Sequence, residues 1–326
     1  VACVHNPMIG TEFEALEYAE PQLFPERRTT NPQRVLVLGA GVSGAEAARV
    51  LAARGHRVEV WEKSPHTGGQ MPLATAAPDK REVEPVWSYR AQSLDMLGVH
   101  VKCGVQASAR ALRDYAPDFA IIATGARPRP CPFDVSRLRN DISVVHAWDI
   151  LAKPDCVPPG SSVTIVGGGM VGMETADLLS VRGVRCTVVE ALRTVAEGMA
   201  RNNRMELIER VAERGTRMLT EARVVDARDA HLELEGTDGA TTRLDIGRFL
   251  IIAIGPAPDR EAAQMCEEAG VPYALVGDAN KPGDFLTCLR DAWMVALSVD
   301  HRFRQHAPLG TERLNSTDQP QTTIHH

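Results

Sequence analysis

Residues 34–63, RVLVLGAGVSGAEAARVLAARGHRVEVWEK, and residues 162–191, SVTIVGGGMVGMETADLLSVRGVRCTVVEA, pass through the same succession of events. In the first, an apolar run over 35–38 ends in glycines at 39, 41 and 44. Apolar residues near a 3.6 spacing then predict a helix stopped at Gly55, and a second strand over 57–61 ends in Glu62. In the second, the glycines are 167, 169 and 172, Gly183 closes the helix, and the strand ends in Glu190. First glycine and terminal acid are 23 residues apart in both copies. Further on, IIATGARP (121–128) is echoed by IIAIGPAP (251–258), so that Gly125 and Gly255 follow their first glycines by 86 and 88 residues. Landmarks repeated in register mean a repeated structural unit. Continuous Val/Ile/Leu strands alternating with helices predict two parallel βαβ units, each sheet buried on both faces.

The rest of the chain is read against that repeat. CVPPGSS (156–162) has linker chemistry and separates the copies, while PLATAAPDKREVEPVW (72–87) is polar, broken by prolines, and reads as an excursion from the core. The stretch from residue 308 onward is polar and predicts a loose tail. A length of 326 residues with 44% hydrophobic side chains suits two domains, each with its own core. The net charge of −6 offers no footprint for nucleic acid or an anionic membrane. No apolar run approaches the ~20 residues that span a bilayer; even VTIVGGGMVGMETADLL contains Glu174 and Asp177. Seven cysteines, at 3, 103, 131, 156, 186, 266 and 288, include no CxxC, which predicts neither a disulfide framework nor a zinc site but reduced thiols in a cytoplasmic protein. The sequence opens at Val1 without Met, and a further part upstream is expected.

The glycines and acids have a common chemical reason. A diphosphate must approach the backbone at the end of a strand, where a side chain would block it, and the N–H groups and dipole of the next helix stabilise its charge. Gly39, Gly41 and Gly44 serve the tight turn, the close approach and the packing of helix on strand. Glu62 and Glu190 stand where a carboxylate accepts from two ribose hydroxyls. At Glu190 the negative charge disfavours a 2′-phosphate and so favours NADH over NADPH. Arg185 and Arg193 lie close enough in sequence to weigh on the other side.

The two glycine motifs, the IIATG between them and YALVGDANKP (273–282) resemble the two-dinucleotide-binding flavoproteins of the glutathione reductase type, from residue 34 to about 300. The resemblance implies two Rossmann-like domains, the second inserted in the first. FAD would be bound by residues 31–155 and 257–305, and NAD(H) by residues 156–256. Gly39, Gly41, Ser43, Gly44, Glu62 and Lys63 would contact the ADP half of FAD. Gly69, Gln70, Val105, Thr124, Gly125 and Asp278 would line the rest of it, with a plain turn role as the alternative for Asp278. Gly167, Gly169, Met170, Val171, Gly172, Glu190 and Gly255 would hold NAD(H). The absence of a CxxC after the first unit excludes the disulfide-reducing branch. Pro256, and Asp291 with Trp293, depart from the family pattern and bear on the FAD contacts near Leu286.

CVHNPMIGTEFE (3–14) resembles the segment that, in NADH:flavin oxidoreductases, joins an FMN-bearing barrel and a [4Fe–4S] cluster to this module. That group includes 2,4-dienoyl-CoA reductase, 2-enoate reductase, the bile-acid enoate reductases and trimethylamine dehydrogenase. Residues 1–30 would then be a linker, and Cys3 would align with the last cluster cysteine, with a free thiol as the alternative. GGGMVGMETADLL, NNRMELIERVAERG and VGDANKP are most similar to the enoate reductase branch, and HAWDIL (146–151) to the N-demethylase branch. The resemblance implies electrons running from NADH through FAD and the cluster to FMN, where a small molecule held by the barrel has an activated C=C bond reduced. Oxidation of an N-methylamine, or a module that holds nucleotide without catalysis, are the rivals. Hydride transfer to a flavin needs no side-chain acid or base, so no catalytic residue is expected in this chain. His146 and His231 stand outside any constellation. A homo-oligomer is left open.

Overall fold

The structure is a computed structural model and describes residues 28–305 together with residues 3, 5–7 and 9. The expected tail, and most of the linker expected over residues 1–30, lie outside the described residues. The chain divides into two compact units, one of residues 1–71, 83–127 and 258–326, the other of residues 72–82 and 128–257.

The first unit is organised by β1 (Arg34–Leu38), whose alternate side chains enter two different cores. Val35 and Val37 pack with Ala45, Ala48 and Leu51 of α1 (Val42–Ala53), whereas Leu36 and Leu38 pack with Leu112 and Cys266. Burial on both faces needs neighbours on both edges, and β2 (Arg57–Glu62) and β4 (Phe119–Ile122) pair with β1 in parallel. Between them run α2 (Glu84–Met96), β3 (His100–Cys103) and α3 (Ala109–Tyr115). The strand β5 (Ala126–Pro128) leads out.

The second unit starts with β6 (Ser143–His146) and α4 (Ala147–Ala152), then repeats the plan. β7 (Ser162–Val166), α5 (Met170–Val181), β8 (Arg185–Val189), α6 (Arg201–Glu213) and β9 (Arg217–Leu219) come first. An antiparallel meander of β10 (Ala222–Arg228), β11 (His231–Gly236) and β12 (Thr241–Asp245) precedes β13 (Phe249–Ile252). Here the meander stands where the first unit has α3. After β14 (Pro256–Pro258), which forms a two-stranded sheet with β5, the chain supplies the first unit with α7 (Glu261–Ala269), β15 (Tyr273–Leu275) and α8 (Phe285–Gln305).

The two parallel sheets have the orders β15-β4-β1-β2-β3 and β6-β13-β7-β8-β9. The repeated strands occupy equivalent places, and only the fifth differs in origin. It comes from late in the chain in the first sheet and from just before the repeat in the second.

Two boundaries differ from those read in the sequence. The second unit opens at residue 128 rather than 156, because the four-residue β6 pairs with β13 and so belongs to its sheet. The excursion ends near residue 83 rather than 87: Val86 of α2 is fully buried and Trp87 packs on the first core. Residues 72–82 are held by the second unit, where Lys80 Nζ lies 2.8 Å from Glu174 on α5.

Candidate functional site

Both glycine loops leave the carboxyl end of the central strand, between the neighbours on either side, the place where open α/β sheets bind ligands. Their outer glycines are demanded by the protein itself. Gly39 has φ +106°, and a Cβ there would lie 2.4 Å from Ala123 O; one on Gly44 would lie 2.0 Å from Gly39 O. Gly167 has φ +104° and the same 2.4 Å collision, with Ala253 O, and Gly172 would meet Gly167 O at 1.9 Å. The middle glycines are different. Gly41 (φ −79°, ψ −175°) and Gly169 (φ −63°, ψ −174°) have extended backbone that any residue adopts. A Cβ on Gly169 would meet nothing within 4 Å, and one on Gly41 only Gly69 Cα at 3.8 Å. No contact among the described residues requires glycine there, so the space over the backbone is open to an approaching group. Each middle glycine is the N-cap of its helix, offers no capping oxygen, and is followed by a first turn without acidic side chains. The positive end of the helix is thus presented to an anion.

The acids clamp these loops identically. Glu62 accepts from Ala40 N at 2.7 Å through Oε2 and from Ser64 N at 2.8 Å through Oε1. Glu190 accepts from Gly168 N at 2.6 Å and Leu192 N at 2.8 Å through the same pair of oxygens. A carboxylate oxygen has two acceptor sites, so each has capacity for one more donor.

Around the first loop the structure gathers the other residues singled out for FAD. Gly69 lies over Gly41, and Gly68 N donates to Ala40 O at 2.8 Å. Gln70 Nε2 donates to Asp278 Oδ2 at 3.1 Å, while Asp278 Oδ1 accepts from Gly283 N and from the Cys288 thiol, both at 3.1 Å. Gly277 lies against Ser43, where a Cβ would come 2.1 Å from the hydroxyl oxygen. Thr124 donates to Asp259 O at 2.6 Å, Gly125 O accepts from Asp259 N, and Lys63 Nζ is 3.5 Å from the Asp259 carboxylate. Val105 N donates to Glu62 O. The buried Asp259, which also accepts from Arg127 Nε at 2.8 Å, went unnoticed in the sequence because it belongs to no motif. Asp291 is used locally, accepting from Gly277 N at 2.8 Å, and Trp293 fills the core.

In the second unit Met170 and Val171 open α5, and Gly255 lies just beyond the end of β13 with φ +86°. Arg185 begins β8 and binds Ser162 Oγ, about 16 Å of strand away from Glu190. It is removed from Glu190. Arg193 is exposed three residues past Glu190. His146 precedes α4 and His231 is buried in β11. A groove of about 460 Å³ lined by Arg34, Arg57 and Tyr115 opens at the opposite, amino edge of the first sheet.

Burial pushes the Cys186 thiol up to about 12, and Cys266 likewise, while burial and the neighbouring Asp278 charge raise Cys288. Cys3 is partly buried, and among the described residues no group of three or more His, Cys, Asp or Glu could hold a metal ion. No described helix is long and apolar enough to cross a membrane.

The model of the pyridine nucleotide-disulphide oxidoreductase family matches residues 33–279, and the chain belongs to that family. It is an oxidoreductase module of the kind that binds FAD and NAD(H), with the two-Rossmann-domain fold. It is 30% identical over 298 residues to NADH oxidase of Thermoanaerobacter brockii, covering 91% of this chain and 44% of that protein. It is 28% identical over 304 residues to cinnamate reductase of Clostridium sporogenes, covering 92% and 43%. Histamine dehydrogenase from Rhizobium sp. 4-9 shares the fold with a TM-score of 0.79 at 20% identity, over 95% of this chain and 49% of that one. The chain thus spans less than half the length of these relatives.

Proposed function

We propose that the first loop holds FAD, the second holds NADH, and the chain is the NADH-oxidising part of a longer reductase acting on an activated C=C bond of the enoate or enoyl type. The observation that carries the nucleotide assignment is the pair of middle glycines opening onto space that the protein leaves free. FAD bound at the first loop supplies the means to take a hydride and pass on electrons singly. The chain's own work is to bind and orient. Gly41 and Gly169 admit the diphosphates, the N-termini of α1 and α5 stabilise them, and Glu62 and Glu190 accept from the ribose hydroxyls. Gln70, Asp278, Thr124 and Lys63 border the remainder of the first site. Glu190 faces the place of a 2′-phosphate and selects NADH.

The resemblance of residues 3–14 supports a complete enzyme with Cys3 as one ligand of a [4Fe–4S] cluster and an FMN barrel as the substrate site, and the likeness to cinnamate reductase supports an enoate as the group reduced. Reduced cysteines, two of them exposed, fit a cytoplasmic location. Oxidation of an amine is the second reading, favoured by HAWDIL.

Anaerobic titration separates them. NADH bleaches the flavin absorbance of the FAD-loaded chain, and in the full-length protein an enoate restores it. Bleaching by a tertiary amine would support the second reading, and no bleaching by either would leave a nucleotide-holding module. Upstream sequence with CxxCxxxC shortly before Cys3 is expected.

A further inference from the structure

The segment that follows Cys3 is gripped by two arginines from different helices. Arg90, on α2, is fully buried; its Nη2 donates to His5 O at 3.3 Å and its Nη1 to Val86 O at 2.7 Å, while Nε lies 2.9 Å from Glu46 Oε2. Arg290, on α8, donates to Pro7 O at 3.3 Å from Nε and to Ile9 O at 2.8 Å from Nη2. The acceptors are main-chain carbonyls at positions 5, 7 and 9, so the grip fixes the path of the chain whatever side chains it carries.

A buried ion pair is a poor way to fasten one helix to another, because well-packed apolar side chains of the same volume do so at lower desolvation cost. The second unit illustrates the alternative: Glu174, which occupies the place of Glu46 in the repeat, is paired with a partly exposed lysine. What the buried Glu46–Arg90 pair adds is a guanidinium held rigid and aimed outward at residue 5.

We infer that Arg90 and Arg290 are positioning residues that moor the segment carrying Cys3 to the first unit, so that a redox centre held through Cys3 stays beside the flavin-binding unit. His5 is two residue steps from Cys3, a reach of at most about 7 Å. The functional half of this rests on the proposed cluster; the mooring does not.

Arg290 is only partly buried and is the variant of choice. In the full-length protein, Arg290→Ala is expected to speed amide hydrogen exchange over residues 3–9 about tenfold, the worth of a charge-assisted hydrogen bond. It leaves NADH-driven bleaching of FAD at the wild-type rate and slows onward reduction of the cluster, followed by its paramagnetic signal. Arg290→Lys, which keeps the charge on a single nitrogen in place of the fork, restores part of both losses. Unchanged exchange overturns the mooring. Faster exchange with unchanged onward transfer overturns the positioning role. A full-length protein with no cluster signal defeats the functional reading, while the exchange measurement still decides the mooring.

Discussion

Glu46 and Glu174 occupy the same place in the two repeats, seven residues past the first glycine, and live under different physics. Glu46 is fully buried between Arg49 Nη2 at 2.6 Å and Arg90 Nε at 2.9 Å. Glu174 remains partly exposed and takes Lys80, a residue of the excursion, at 2.8 Å. In the second unit Arg210 of the crossover helix α6 and Arg214, its C-cap, go elsewhere and pair with the buried Asp177 at 2.7 and 2.6 Å. The glycine loops and their clamping acids, by contrast, agree to within about 0.1 Å in the contacts quoted above. The copies coincide where the loop backbone packs tightly and an acid clamps it, and differ where each helix only has to find a partner.

The contrast predicts unequal costs. Glu46→Ala strands the buried Arg90 and is expected to lower stability by about 3–5 kcal/mol in urea unfolding. A loss below 1 kcal/mol would show that the pair is dispensable. Gly172→Ala drives a methyl into backbone at 1.9 Å and should cost about 3 kcal/mol, with thermal denaturation as the check. Glu190→Gln removes the charge facing the sugar. The preference for NADH over NADPH should fall about tenfold in Kd ratio, the scale of one charge-assisted hydrogen bond. Lys80→Ala is the small effect, less than about 1 kcal/mol and vanishing in high salt, as for exposed pairs. If it matched Glu46→Ala, the distinction drawn between the copies would collapse.

Much of this was written in the sequence. The glycines, the strand-ending acids and the IIATG and IIAIG runs occur at the positions the periodicity gave, because a strand buried on both faces and a glycine with φ above +100° leave little choice of residue. The start of the second unit was not legible. β6 is four residues long with two exposed, and only its partner β13 makes it a strand. Nor was the grip on residues 5–9, since main-chain carbonyls leave no mark in a sequence. Asp259 was missed for a related reason: its partners Arg127 and Lys63 lie far away along the chain. Glu46 did leave a signal, a lone acid in an alanine-rich apolar helix, and its repetition at Glu174 made it traceable.

On the proposed function, the middle glycine of each loop is kept open by a nucleotide and by no contact among the described residues. Equilibrium titration of FAD and NADH against Gly41→Ala and Gly169→Ala, with the melting temperature of each, tests it directly. A crossed pattern is expected: Gly41→Ala loses FAD affinity at least about tenfold and keeps NADH, Gly169→Ala does the reverse, and each stays within about 1 kcal/mol of the parent in stability, the gain of an alanine that fits the backbone being offset by the weaker helix cap it makes. Wild-type affinity for both nucleotides in both variants, or a melting temperature that falls in step with affinity, would contradict it.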